Sequence, residues 1–209
     1  MNPPLLWYFA DPMCSWCWGF SPVIEAVREA YHERLKIALV LGGLRPGTTT
    51  PMTAAARDEI LHHWQQVHAR SGQAFRFDGA LPDNFIYDTE PSSRAVVTAG
   101  GIDPSKIFAM FQAIQTAFYS EGRDVTEPAV LAELAAGLGI DASAFLQAFD
   151  SDVARAKTQA HFAQSRKAGV RGFPTLILQR GEQLDRITDG WQTLDAVQAE
   201  LERLLSSPG

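Results

Sequence analysis

The stretch Asp11-Pro12-Met13-Cys14-Ser15-Trp16-Cys17-Trp18-Gly19 separates two segments of different period. Before it, Leu5 to Ala10 is a short apolar, aromatic-rich run, as expected of a buried strand, and Pro12 ends it. Behind it, Val23, Ile24, Val27, Ala30 and Tyr31 recur at helical spacing, with polar Glu25, Arg28 and Glu29 on the other side. The chain's two cysteines therefore fall where a strand gives way to a helix. A helix N-terminus offers unpaired N–H groups and a partial positive charge, which stabilise a thiolate. The thiolate is the attacking species in disulfide exchange, so Cys14, at the very start, is the expected nucleophile. Cys17 lies one turn in on the same side, within reach of a mixed disulfide formed at Cys14.

Working outward, Ile37 to Leu41 reads as a second strand closed by Gly42-Gly43. Strand, helix and strand in so short a span make a βαβ unit, with parallel strands and a right-handed crossover. Near the other end, Thr175 to Leu178 reads as a strand, Gln179 to Gln183 as a turn around Gly181, and Leu184 to Thr188 as the returning strand. Leu194, Val197, Leu201 and Leu204 then mark a terminal amphipathic helix. Between these halves the chain is mostly α. Thr50-Pro51, Glu90-Pro91, Asp103-Pro104 and Glu127-Pro128 each put proline where a helix is expected to begin, and Asp103 is a good N-cap. Apolar stripes follow at Ile107, Phe111, Ile114 and Phe118, at Leu131, Leu134 and Leu138, and at Phe145, Leu146 and Phe149. The expected fold is α/β: a mixed sheet built from βαβ and ββα halves, 1–48 and 169–209, around an all-helical insertion, 49–168.

Of the 209 residues 46% are hydrophobic and 20% charged, enough apolar material for a proper core. A net charge of −6 argues against a nucleic-acid or anionic-membrane partner, which needs a basic face. Met1 to Ala10 has no cationic leader region and no small-residue cleavage site, and no segment approaches the ~18 apolar residues of a spanning helix. The expectation is a cytoplasmic protein. There a lone cysteine pair is catalytic or metal-binding rather than a structural disulfide. A zinc site needs four ligands, and His62, His63 and His68 form no matching pattern with Cys14 and Cys17, so no metal is expected. The bland reading, two inert core thiols, fits poorly with a strand-to-helix turn.

Together with Gly169-Val170-Arg171-Gly172-Phe173-Pro174-Thr175, the cysteine segment resembles the DsbA-like branch of the thioredoxin superfamily, especially its cytosolic FrnE-type members. The similarity extends to the element order, with a helical insertion between two thioredoxin halves. It implies a cis Phe173–Pro174 bond facing the cysteines, with Phe173 backbone groups binding a substrate's extended chain; periodicity alone leaves a trans, strand-initiating proline open. This chain carries Ser15-Trp16 between its cysteines, not the Gly-Pro or Pro-His of better-known members, so no histidine flanks Cys14 there. Ser15 can donate to a thiolate or simply open the helix. Trp16 can cover a substrate or be a partly exposed aromatic. Asp11 reads as a turn residue bonding local N–H groups rather than as a modulator of the thiols. Asn84 to Pro91 resembles a family segment joining helices of the insertion. Trp64, Phe75, Phe77 and Phe85 read as that insertion's core in preference to the lining of a peptide groove, and His62, His63 and His68 as solvated.

The function implied is thiol–disulfide exchange on protein or small disulfides, by attack of Cys14 and resolution by Cys17. Partners would be protein or peptide thiols, with glutathione or a thioredoxin-type system for recycling and no resident cofactor. Two other readings stand beside it. The kappa-type glutathione transferases and related isomerases share the layout but carry serine where Cys14 stands. A redox-sensing, peptide-binding chaperone would use the pair only as a switch.

Overall fold

A computed structural model describes residues 3–206. Met1 and Asn2, the head of the stretch read as lacking a leader, lie outside the described residues. β1 (Leu5–Ala10), α1 (Ser15–Tyr31) and β2 (Lys36–Leu41) form the first half. α2 (Ala54–Ser71), α3 (Glu90–Ile102), α4 (Ile107–Gln115), α5 (Pro128–Gly137), α6 (Ala142–Phe149) and α7 (Asp152–Lys167) follow, and β3 (Thr175–Arg180), β4 (Gln183–Asp189) and α8 (Leu194–Leu205) complete the chain.

The sheet order is β2-β1-β3-β4. β1 pairs parallel to β2, as a βαβ crossover demands, and antiparallel to β3, which forms a hairpin with β4. The hairpin is tighter than the sequence suggests. The strands run to Arg180 and from Gln183, leaving only Gly181-Glu182 to turn, with Gly181 at φ 60°. Tight hairpin turns need such left-handed backbone, which glycine adopts without a Cβ penalty.

Not every proline opens a helix. α2 begins at Ala54, where Thr53 accepts the Ala56 N–H at 3.2 Å, so a side-chain cap rather than Pro51 sets the boundary. Asp103 caps, but what it caps is a 3-10 turn at Pro104–Lys106, and α4 starts only at Ile107. Phe118 belongs to a π-helical turn, Thr116–Ser120, that continues α4. Pro91 and Pro128 do stand in the first turns of α3 and α5.

One apolar core runs through the sheet and the helical insertion, from Leu6 and Tyr8 through Phe20 to Phe111, Phe118 and Phe145. A smaller cluster of Phe9, Val40 and Ile177 covers the other face of the sheet, with Phe173 packed against it. α7 lies against β2, where His161 Nδ1 accepts the Leu41 N–H at 3.2 Å.

Candidate active site

Cys14 is the N-cap of α1. Its backbone is extended (φ −91°, ψ 116°), and its carbonyl accepts from Cys17 N–H at 2.9 Å and Trp18 N–H at 3.1 Å. Cys14 retains 6% exposure while Cys17 has none, and both are free thiols. Both are buried, but only Cys14 keeps any exposed surface. Burial pushes the Cys17 thiol well above the usual thiol range; the adjoining Cys14 and the Asp11 charge push the same way, against one bond from the Asp11 backbone.

The Phe173–Pro174 peptide bond is cis. The Cys14 S–H donates to the Phe173 carbonyl at 3.6 Å, so the loop before β3 stands directly against the Cys14 sulfur. The Phe173 ring lies over Gly42, where a Cβ would fall 2.0 Å from its Cζ. Only glycine at the end of β2 admits the ring there. Pro174 is buried, and its carbonyl accepts the Gly190 N–H at 2.8 Å.

Asp11 does more than the turn expected of it. Its Oδ1 accepts the Met13 N–H at 2.9 Å, the local turn bond, but Oδ2 accepts the Leu44 N–H at 2.7 Å from the loop after β2. The carboxyl is wholly buried. Burial raises its pKa to about 6, against the bonds from Leu44, Met13 and Thr89, with Asp88 adding to the rise.

α1 is also anchored where Pro22 interrupts its hydrogen-bond ladder. Pro22 sits inside α1 and has no N–H for the Trp18 carbonyl four residues back. That carbonyl instead accepts from Ser21 Oγ at 2.9 Å and Gln73 Nε2 at 3.0 Å. The Gly19 carbonyl accepts from Trp191 Nε1 at 2.9 Å, and Trp18 Nε1 donates to the Ala74 carbonyl at 2.9 Å. The insertion and the C-terminal segment thereby hold the cysteine turn from both sides.

Above Cys14 opens a cavity of about 180 Å³ lined by Met13, Cys14, Ser15, Trp16, Leu44, Arg45, Ile60, His63, Trp64 and Tyr87. Of the residues expected at the site, Cys14, Ser15 and Trp16 line it, with Trp16 half-buried. Phe173 is joined to it through Cys14, and Cys17 and Asp11 lie beneath. The sequence did not point to Leu44, Arg45, Ile60 or His63, and it placed Tyr87 in a segment read as packing and capping rather than substrate contact. One signal was present: Ile60, His63 and Trp64 are spaced to share a helix face. His63, expected to be simply solvated, is exposed yet on the cavity rim. Trp64 both belongs to the core and forms cavity wall. Tyr87 donates to the Met13 carbonyl at 2.6 Å, and the Arg45 guanidinium lies 5.4 Å from the Tyr87 ring centroid. Arg94 is a structural residue, bonded to Glu90 at 2.9 Å and to the Phe149 carbonyl at 2.8 Å. Among the described residues, no group of three or more His, Cys, Asp or Glu side chains is placed to hold a metal ion. No helix among them is long and apolar enough to cross a membrane.

The fold recurs in known proteins. A protein from Nitrosomonas europaea, described as a candidate protein disulfide isomerase, is 45% identical over the whole of both chains, with a TM-score of 0.94. The cytosolic disulfide reductase DsbM of Pseudomonas aeruginosa is 34% identical, over 96% of this chain and 98% of its own, with a TM-score of 0.81; it has also been solved with glutathione. More distantly, the ClpXP adapter protein SpxH of Halalkalibacterium halodurans is 21% identical over 84% of this chain. The chain spans 58% of that relative's length. The model of the DSBA-like thioredoxin domain matches residues 6–202. With its cysteine pair opening α1 and Pro174 leading into β3, this chain belongs to the family of DSBA-like thioredoxin domains.

Proposed function

We propose that this chain is a cytoplasmic thiol–disulfide oxidoreductase that reduces protein or small disulfides through a mixed disulfide at Cys14, resolved by Cys17. The observation that carries the reading is the division of labour in one helical turn: an N-cap thiol that lines the cavity against the Phe173 carbonyl, and a wholly buried thiol behind it. The Cys14 thiolate attacks one sulfur of the substrate disulfide, and that S–S bond breaks as the new one forms. The departing thiolate takes up a proton. The Cys17 sulfur then attacks Cys14, the Cys14–Cys17 disulfide forms, and the second substrate thiol leaves. Two electrons pass to the substrate, and a second thiol system restores the dithiol.

The reductive direction is supported by the 34% identical reductase, whose structure with glutathione also makes that thiol the first recycling partner to test. The cavity suits either glutathione or an extended peptide. Trp16, Ile60, Trp64 and Tyr87 give it apolar walls, and Arg45 sets a cationic rim for a carboxylate, with the His63 ring beside it. Within it, Ser15 and Phe173 are proposed to contact the sulfurs and the substrate backbone. Both cysteines in place speak against the kappa-type transferase reading.

Titration in glutathione buffers, following Trp16 and Trp18 fluorescence and free thiols by mass, tests the proposal. The expected result is a reversible two-electron transition, absent in Cys14→Ser, with a midpoint nearer to thioredoxin at roughly −270 mV than to the periplasmic oxidant at roughly −120 mV. Cys17→Ser should accumulate mixed disulfides. Thiols that never pair, or peptide binding that survives loss of both cysteines with no exchange activity, would sink it.

A further inference from the structure

Tyr8 occupies the middle of β1, held on one side by β2 and on the other by β3, opposite Leu39 and Leu176. Its ring packs against Phe20 of α1 and Phe111 of α4, each at 6.1 Å between centroids. The side chain is wholly buried, and its hydroxyl has the Cys17 thiol beside it without completing a well-formed hydrogen bond to it. A buried hydroxyl without a partner costs stability, and phenylalanine would fill the same space without that cost. The charged or ionisable groups that bear on this hydroxyl are Cys17 first, which is also its side-chain neighbour, then Cys14 and Glu25, while its ring rests on Phe20, one turn beyond Cys17 on α1.

A neutral thiol is a weak acceptor, whereas a charged acceptor makes a bond roughly twice as strong. Burial opposes ionisation of the Cys17 thiol, in a place closed to water and near the Asp11 carboxyl. A donor fixed beforehand where charge will develop lowers the barrier without reorganisation.

We propose that the Tyr8 hydroxyl donates a hydrogen bond to the Cys17 sulfur when that sulfur becomes charged, and so sets the rate at which Cys17 attacks the mixed disulfide. The inference rests on Cys17 being the resolving thiol. In that step the Cys17–Cys14 bond forms and the Cys14–substrate bond breaks, and the proton lost by Cys17 ends on the departing substrate thiol. Tyr8 keeps its own proton throughout. In the reverse direction the same bond receives Cys17 as leaving thiolate.

The test mixes the reduced full chain with dithionitrobenzoate, an aromatic disulfide that releases a coloured thiolate. Attack by Cys14 releases the first thiolate and resolution by Cys17 the second. Tyr8→Phe is expected to leave the first phase within about twofold and to slow the second at least tenfold, with its thermal melt retained. An unchanged second phase, or equal slowing of both, overturns the proposal. In a Cys14→Ser background, thiolate absorbance of Cys17 should titrate at higher pH after Tyr8→Phe, and coincident titrations overturn it too. If Tyr8→Phe does not fold, Tyr8→difluorotyrosine keeps the shape and strengthens the donor. It should speed the second phase; an unchanged rate overturns the proposal. Failure of Cys17→Ser to trap a mixed disulfide would remove the exchange reading itself, and this inference with it; trapping with no Tyr8 effect removes the inference alone.

Discussion

Asp11 is tied to Leu44: the Asp11 carboxylate accepts the Leu44 N–H at 2.7 Å and, through its other oxygen, the Met13 N–H at 2.9 Å. One buried side chain thus joins the cysteine loop to the loop after β2, and both line the cavity above Cys14.

That clamp makes stability depend on pH in a definite direction. The carboxyl is raised to about 6 in the fold from 3.8, so between these values the folded chain holds a proton that the unfolded chain has released. Stability from this group is therefore full below pH 3.8 and declines as pH rises toward 6, by about 3 kcal/mol in all. Urea unfolding at stepped pH should show this fall in the native chain and lose it in Asp11→Asn. A slope of opposite sign would contradict the burial argument.

The two thiols should differ sharply toward an alkylating reagent. Cys17 is fully buried and its thiol is pushed up by that burial, while Cys14 opens to the cavity. Iodoacetamide at neutral pH should add once, at Cys14, as read by peptide mass. Folded Cys14→Ser should stay unmodified for as long as it remains folded, and rapid labelling of Cys17 would refute its burial.

Gly42→Ala should impair exchange without touching a sulfur. Its Cβ would meet the Phe173 ring at 2.0 Å, and the ring and its carbonyl would have to move away from Cys14. Overpacking of this kind costs about 1–3 kcal/mol. The expected outcome is lower thermal stability together with slower first-phase release from an aromatic disulfide. An unaltered first-phase rate would show that the Phe173 position does not matter to Cys14.

Gln73→Ala removes one of two donors to the Trp18 carbonyl that Pro22 leaves free. It also deletes a bond of 2.7 Å to Ser21 Oγ. The loss should be about 1 kcal/mol, a fall of roughly 2–4 °C in Tm for a chain of this size. No change in Tm would mean that Ser21 alone satisfies that carbonyl.

Local chemistry wrote some of this architecture directly into the chain. Leu5–Ala10 alternates with a turn and then a 3.6-residue period, so the strand, the helix and the cysteines at their junction could be read from neighbours alone. Boundaries were less legible where two signals competed. Pro51 suggested a helix start that the Thr53 side chain actually sets, and Gln179 and Arg180 looked like turn but extend β3. Local propensity yields there to caps and to ladder bonds made with a partner strand.

By itself the sequence determined that Cys14 and Cys17 share the first turn of a helix behind a strand, since helical spacing requires nothing from the rest of the chain. Only the tertiary structure decided that Cys14 lines the cavity while Cys17 is closed off, that Asp11 reaches Leu44, and that the Tyr8 hydroxyl is buried beside Cys17. Arg45, His63 and Tyr87 likewise meet over Cys14 from three separate segments. The physical reason is that periodicity reports whether a side chain is buried, whereas its partner depends on which distant segments the sheet and helices bring to the same place.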